Sequence, residues 1–332
     1  MQKIAAWVGN AYFASHMRSA GYHVVVLPRH LHTVTWTDVT HHCGTAPDVF
    51  IYGDCSVPPF LRDIESFPCP TVFYAIDTHI HSWYPRYAQG FDLCCVAMRD
   101  HLPSFAGHRL GNEQIAWLPL FAKDTDRRIP IHDGPRYDVV FVGKNDPLLT
   151  PGRHKLLQEL AAKVPLTVLQ GRYDELYSRA KLVLNISEHG DLNFRLFEAL
   201  GCGACLITPR VGHGLRDLFS EGKELFTYDP NDITALAALV RELLEDDARR
   251  LKVAEAGLAA VDGKHRAADR AREFMEWISA HDLARLVRER LAAKEWVRQT
   301  YLRLLYLHLA DAENDVERAR MYVEFAGPGP VM

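Results

Sequence analysis

Arg195 and Glu198 stand one helical turn apart in NFRLFEALGCGACLITP, residues 193–209, a short helix that gives way to an apolar strand. Phe194, Phe197 and Leu200 mark the apolar face of that helix, and the two charged residues make a second face. An arginine in a first turn meets the positive end of the helix macrodipole, at a cost of ~0.3–1 kcal/mol. A phosphate there would reverse the sign, because each charge-assisted hydrogen bond contributes ~1.5–3 kcal/mol. Glu198 suits another part of the same ligand, since a carboxylate accepts well from the paired hydroxyls of a ribose. The alternative is an exposed arginine–glutamate pair worth a few tenths of a kcal/mol.

Two strand ends supply further candidates. YDVVFVGKNDP (137–147) delivers Gly143 and Lys144 to a turn where glycine lets a ligand approach the backbone and lysine offers a point charge for phosphate. Walker spacing is absent. Arg153, just beyond, adds a second charge or is simply solvated. KLVLNISEHGD (181–191) brings Asn185, Ser187 and Glu188 to a strand end, and Asp191 or Asn193 can cap the helix that follows. The free N–H groups of such a helix start suit a diphosphate.

In the first half of the chain, Asp77-Thr-His79-Ile-His81 follows the strand PTVFYAI. Asp77 or His79 is placed to act as general base toward a hydroxyl or to orient a sugar. An extended chain there would also turn Asp77, His79 and His81 to one side, as a metal site needs; we expect no metal. Trp83, Tyr84 and Tyr87 could stack a sugar ring, and packing of a helix on its sheet is the preferred reading. His30, His32, His41 and His42 read as surface residues of a polar loop. Seven cysteines do not resemble a disulfide framework. Cys202-Gly-Ala-Cys205 matches C-x-x-C, but its helix precedes the pair, whereas thiol acidity is gained at a helix N-terminus. Packing is the expected role.

The elements that must position these residues alternate as in a parallel sheet wrapped by helices. KIAAWVG, YHVVVL, DVFIYGD, PTVFYAID, FDLCCVAM and IAWLPLF read as strands, with helices in NAYFASHMRSA and PFLRDIESF. After the polar stretch AKDTDRRIPIHDGPRY the beat resumes with YDVVFVG, LTVLQG, KLVLNIS, ACLITP and ELFTY. From Asp232 the chain turns helical, and Leu283, Val287, Leu291 and then Tyr301, Leu305, Leu309 read as buried stripes.

The expected fold class is therefore α/β, with two Rossmann-like domains facing across a cleft and a C-terminal helical extension. Residues 1–122 form the first domain, 123–136 a linker, 137–280 the second domain and 281–332 a helical tail. The last helix pair resembles one tetratricopeptide hairpin. A single hairpin makes no repeat array, so the tail is read as a surface for a second copy or a partner protein.

Length and composition fit two soluble domains, with 332 residues of which 48% are hydrophobic and 24% charged. A net charge of -4 gives no basic field for a nucleic-acid partner. The N-terminal apolar run is too short for a secretory core, and no segment reaches ~18 uninterrupted apolar residues. A cytoplasmic location is expected, peripheral to the inner face of a membrane if associated with one.

The ordered series NFRLFEALGCGACLITP, LRDLFSEGKELFTY and DPND with R-x-x-x-A-E-A-G, over residues 137–275, resembles the CgeB-type (spore-maturation-protein-like) glycosyltransferases of the GT-B superfamily. PTVFYAIDTHIHSWYPRYAQGFDLCCVAMRDHL and AWLPLF are similar to that family's first domain. The resemblance implies a nucleotide-sugar donor held mainly by the second domain and an acceptor held by the first. The acceptor would be a sugar, a lipid-linked group or a protein in surface polysaccharide or glycoconjugate synthesis. Arg195 and Lys144 would neutralise the diphosphate and Glu198 would hold the ribose, with no cofactor obligatory.

The sequence departs from the wider retaining GT-B pattern of two glutamates eight positions apart, because Gly190 stands eight before Glu198. Glu188 and Asp191 flank that position as substitutes. The donor-side set is thus Gly143, Lys144, Ser187, Glu188, Asn193, Arg195 and Glu198, and the catalytic set Asp77 and His79. A nucleotide-sugar epimerase, or a non-catalytic binding module in an envelope assembly, are the alternative readings.

Overall fold

The computed structural model describes residues 2–28, 33–130 and 136–327. The chain forms two compact units, Met1–Pro119 with Ala271–Met332, and Leu120–Arg270.

In the first unit, β1 (Lys3–Gly9), β2 (Tyr22–Val26), β3 (Val49–Gly53), β4 (Thr71–Ala75), β5 (Leu93–Val96) and β6 (Ile115–Trp117) form one parallel sheet in the order β2-β1-β3-β4-β5-β6. Every residue of β3 and β4 is buried, which explains why both read as continuous apolar runs rather than alternating ones. Strand order reverses between β1 and β3, so the turns at Gly9 and Gly53 lie side by side at the carboxyl ends. The approach is close: a Cβ on Gly9, at φ +85°, would lie 2.0 Å from the Gly53 carbonyl oxygen.

Two expected helices shrink to 3₁₀ turns, Ala14–Ala20 and Ile64–Ser66. Conversely, His41 and His42 belong to a helix, Trp36–Cys43, rather than a loop. Thr35 and Asp38 close that helix start reciprocally, the Thr35 N–H donating to the Asp38 carboxylate (2.8 Å) and the Asp38 N–H to the Thr35 hydroxyl (3.3 Å). His30 and His32 lie outside the described residues.

The terminal helices are not a separate tail. Leu283–Val297, the π-helical Arg298–Leu302, Arg303–Ala312 and Val316–Phe325 return to the first unit. Leu302, Leu305, Tyr306 and Phe325 share one apolar core with Phe73, Tyr87 and Phe91. On Leu283–Val297 the buried positions are Leu286, Val287, Arg290 and Val297, so the expected stripe through Leu283 and Leu291 is displaced. A buried arginine counts as polar in any periodicity reading, and that displaced the stripe.

The second unit holds β7 (Tyr137–Val142), β8 (Leu166–Leu169), β9 (Ala180–Leu184), β10 (Leu206–Pro209) and β11 (Phe226–Tyr228), parallel and ordered β11-β10-β9-β7-β8. Residues 120–130, partly expected as linker, belong to this unit: the Ala122 N–H donates to the His265 carbonyl (2.8 Å) and the Ala267 N–H to the Ala122 carbonyl (3.0 Å). The rest of the expected linker, residues 131–135, lies outside the described residues. The helix Phe194–Gly201 buries Leu196, Phe197, Ala199 and Leu200. At ~1.5–3 kcal/mol for each large side chain, that face fixes where Arg195 and Glu198 must project. Phe194 is only half-buried and packs edge-on against Phe121 at 5.5 Å.

Candidate functional site

Strand order in the second unit reverses between β7 and β9, and the crevice beyond their carboxyl ends is where an open α/β sheet takes its ligand. Arg195 spans that crevice. Its Nε donates to the Val142 carbonyl at the end of β7 (3.2 Å), and its Nη1 to the Ile186 carbonyl (3.1 Å) and the Asn185 side-chain oxygen (3.2 Å) beyond β9. Asn185 is buried and oriented in turn, its side-chain amide donating to the Thr208 hydroxyl (3.0 Å) and its backbone carbonyl accepting from the Tyr228 hydroxyl (2.9 Å). The guanidinium also lies over the Phe141 ring, 5.0 Å from its centroid. Strand-end carbonyls therefore offset the macrodipole penalty without any ligand.

The Arg195 side chain also hydrogen-bonds the Tyr177 hydroxyl in the pocket wall, and its remaining nitrogen is the Nη2 amino group. It lies beside Gly143, where an added Cβ would stand 3.0 Å from it and 3.2 Å from the Phe141 ring. The glycine keeps the space into which the guanidinium opens. A pocket of about 380 Å³ is lined there by Val142, Gly143, Lys144, Gln170, Gly171, Tyr173, Tyr177, Arg195 and Glu198. Four residues of the expected donor side, Gly143, Lys144, Arg195 and Glu198, thus come together around one cavity, with cations and a carboxylate in the same lining.

Ser187, Glu188 and Asn193 are not in that lining. Glu188 accepts the Arg153 backbone N–H (3.0 Å) and lies 3.5 Å from the Arg153 Nε. The Ser187 hydroxyl donates to Asp191 (2.6 Å), so both carboxylates that flank Gly190 are engaged within the protein. Asn193 occupies the N-cap position without a side-chain capping bond, and its amide donates to the Ile186 carbonyl (3.3 Å).

Arg153 is not solvated: its side chain is 14% exposed and lies over the Phe141 ring, and its Nη1 donates to the Lys144 carbonyl (2.9 Å). Burial, and then the neighbouring Arg195 charge, push its pKa down. It braces the turn that presents Lys144.

Glu198 is largely buried, and its Oε1 accepts from the Lys123 ammonium at 3.1 Å. Lys123 escaped the sequence reading because it lies in a polar stretch with linker composition. Gln170, Gly171 and Tyr173 carried a usable signal: they follow β8 as Gly143 follows β7, and the same strand-end rule selects them. Tyr173 and Tyr177 hydroxyls are both held neutral, burial being the leading cause.

Cys202 and Cys205 are buried free thiols pushed up to about 12 by burial, opposite to what a redox pair needs. A thiol reagent at neutral pH is expected to reach at most Cys43 and Cys55 in the folded protein and all seven after denaturation. Mass mapping that found rapid labelling at Cys202 or Cys205 would contradict this burial.

The first unit gathers a second set of groups at its own strand ends, arranged around the buried Asp54. One Asp54 oxygen accepts the Ile76 (2.9 Å) and Asp77 (2.8 Å) backbone N–H groups, and the other accepts the Ser56 N–H (2.8 Å) and the Tyr84 hydroxyl. Asp77 itself is half-buried. Its carboxyl is raised above the usual range by burial and by the Asp54 charge, against the lowering effect of the Ser56 hydroxyl, His79 and His81. The Ser56 hydroxyl also meets the His81 Nε2 at 3.0 Å.

The segment after Asp77 is a turn, not extended: the Ile80 and His81 N–H groups both donate to the Asp77 carbonyl at 3.0 Å. Alternation of side chains fails there, and among the described residues no group of three or more His, Cys, Asp or Glu could hold a metal ion. Tyr84 and Tyr87 are buried in the aromatic core with Phe73, which is the packing role.

Residues 134–276 match the family model described as glycosyl transferase-like. No curated protein matches the chain. Among solved structures, the chain is similar to sucrose-phosphate synthase from Thermosynechococcus elongatus, at 12% identity and TM-score 0.59, covering 84% of this chain and 99% of that one. HepE of Anabaena, in complex with UDP and glucose, aligns at 13% identity and TM-score 0.58, over 85% of this chain and 100% of that one. A glycosyltransferase from Rickettsia africae aligns at 8% identity and TM-score 0.60, over 83% and 97%. At these identities the likeness is one of fold, and the fold is the two-domain GT-B architecture. No described helix is long and apolar enough to cross a membrane.

Proposed function

We propose that this protein is a glycosyltransferase of CgeB type that takes a sugar from a nucleoside diphosphate, with the donor held by the second unit and the acceptor by the first. The observation that carries the reading is the pocket beyond β7 and β9, lined by Arg195 and Lys144 for a diphosphate and by Glu198 for a ribose. The glycosyl transferase-like match over the same unit supports it, as does a neighbour of the same fold solved with UDP and glucose. Surface polysaccharide or glycoconjugate synthesis is the setting to which the CgeB resemblance points.

In this reading the bond between the anomeric carbon and the diphosphate oxygen breaks, and its electron pair leaves with the nucleotide. The Arg195 amino group and the Lys144 ammonium stabilise the charge that grows there, and they are in place before reaction. The acceptor hydroxyl oxygen bonds to the anomeric carbon, and its proton passes to Asp77 or His79.

A calorimetric titration with uridine, guanosine, thymidine and adenosine diphosphates, followed by transfer assays with the matching sugar nucleotides, tests the proposal. Micromolar binding of one diphosphate with turnover of its sugar form supports it, and silence across the panel defeats it. The engagement of Glu188 and Asp191 within the protein favours one other outcome, a binding module. Tight binding without turnover would select that module.

Asp77 gives a separate check. As a base with a raised pKa it must lose its proton first, so kcat/KM should fall as pH drops through a midpoint above the usual carboxylate range. Asp77→Asn should lower turnover about a hundredfold or more with donor affinity unchanged. An unaltered pH profile in that variant would remove Asp77 from the chemistry.

A further inference from the structure

We propose that Lys123 sets the Glu198 carboxylate for ribose and is thereby the positioning residue that makes the donor pocket select ribonucleotides over deoxyribonucleotides. The inference rests on the donor reading above and adds to it a residue outside the pocket lining.

The Lys123 ammonium, on a side chain 50% exposed, closes a ring of hydrogen bonds. It donates to the Tyr173 hydroxyl (3.2 Å), that hydroxyl donates to the Asp126 Oδ1 (2.8 Å), and the Asp126 Oδ2 accepts the Lys123 backbone N–H (2.7 Å). The Tyr173 and Phe194 rings lie 5.4 and 6.0 Å from the ammonium, so its charge meets aromatic faces on this side. From that mount it takes Glu198 Oε1 at 3.1 Å.

The consequence for Glu198 is geometric and electrostatic. A glutamate has three rotatable bonds, and one held oxygen removes most of that freedom before a ligand arrives. Its other oxygen accepts no hydrogen bond among the described residues and belongs to a side chain that lines the pocket. The pair also offsets the crowding of two carboxylates, Glu198 and Asp126, around one tyrosine. Lys123 itself does not line the pocket, so it acts on a ligand through Glu198. A 2′-hydroxyl that donates to a fixed carboxylate is worth about tenfold in affinity, and that factor is what Lys123 secures.

The test is calorimetric, on the whole protein, with uridine diphosphate and 2′-deoxyuridine diphosphate. The guanosine and adenosine pairs serve if uridine is not taken. The wild type should favour the ribo form about tenfold. Lys123→Met should abolish that preference by weakening the ribo form alone, and Lys123→Arg should retain most of it. In a Glu198→Gln background Lys123→Met should add nothing, and far-UV circular dichroism should show the variants folded. Equal weakening of both nucleotides, an intact preference in Lys123→Met, or a full effect without the glutamate would each overturn the role of Lys123 while leaving the donor reading in place. A wild type that takes no nucleoside diphosphate overturns the donor reading, and this inference with it.

Discussion

Arg195→Ala is expected to weaken nucleoside diphosphate binding about a hundredfold while leaving the affinity for the bare nucleoside nearly unchanged. Labour is divided within one guanidinium. Nε and Nη1 are taken by Val142, Ile186 and Asn185, and Nη2 opens beside Gly143 into the pocket. Charge-assisted donation to phosphate oxygens at ~3 kcal/mol gives that factor. Arg195→Lys keeps the charge but cannot both bridge β7 and β9 and reach the ligand, so it should fall between wild type and alanine. Titration with uridine and uridine diphosphate side by side is the measurement. Parallel losses for the two would mean that Arg195 only braces the strand ends.

Arg290→Met should cost the first unit about 3–5 kcal/mol. Arg290 and Asp92 are both 0% exposed, with Nε and Nη2 on the two carboxylate oxygens at 2.8 and 3.1 Å. The same guanidinium donates to the carbonyls of Ile64, Glu65, Phe67 and Cys69. Removing it strands a buried carboxylate whose remaining donors are the Thr71 N–H and hydroxyl, and it takes a donor from four carbonyls, of which that of Ile64 keeps the Phe67 N–H. The pair as a whole need not be stabilising; the uncompensated charge is what costs. Asp92→Asn added to Arg290→Met should therefore recover part of the loss.

The readout is unusually clean, because all six tryptophans (Trp7, Trp36, Trp83, Trp117, Trp277 and Trp296) lie in the first unit. Their fluorescence follows its unfolding separately from the second unit. A urea midpoint lowered by roughly 1.5–2.5 M is expected for a slope of ~2 kcal/mol/M. A shift under about 0.5 M would mean that water reaches Asp92 in the variant.

The sequence by itself determined the eleven strands seen among the described residues, their grouping into two parallel sheets and the residues at two strand ends of the second sheet. Those features are local. Apolar runs, glycines after strands and a helix with one apolar face follow from the chain's nearest neighbours, and strand ends in an open α/β sheet mark the ligand side. Gly143, Lys144, Arg195 and Glu198 were legible for that reason.

What only the tertiary structure decided depends on partners far along the chain. Glu188 read as a pocket carboxylate until the start of the helix Pro151–Ala161 claimed it through Arg153, thirty-five positions away. Lys123 read as linker until it met Glu198, seventy-five positions on. The helical tail read as separate until Arg290 reached Asp92 across 198 positions. In each case a charged side chain finds a distant partner, where composition alone would leave it in water. A charge can instead be buried where a distant partner satisfies it, and no window of local sequence contains that partner.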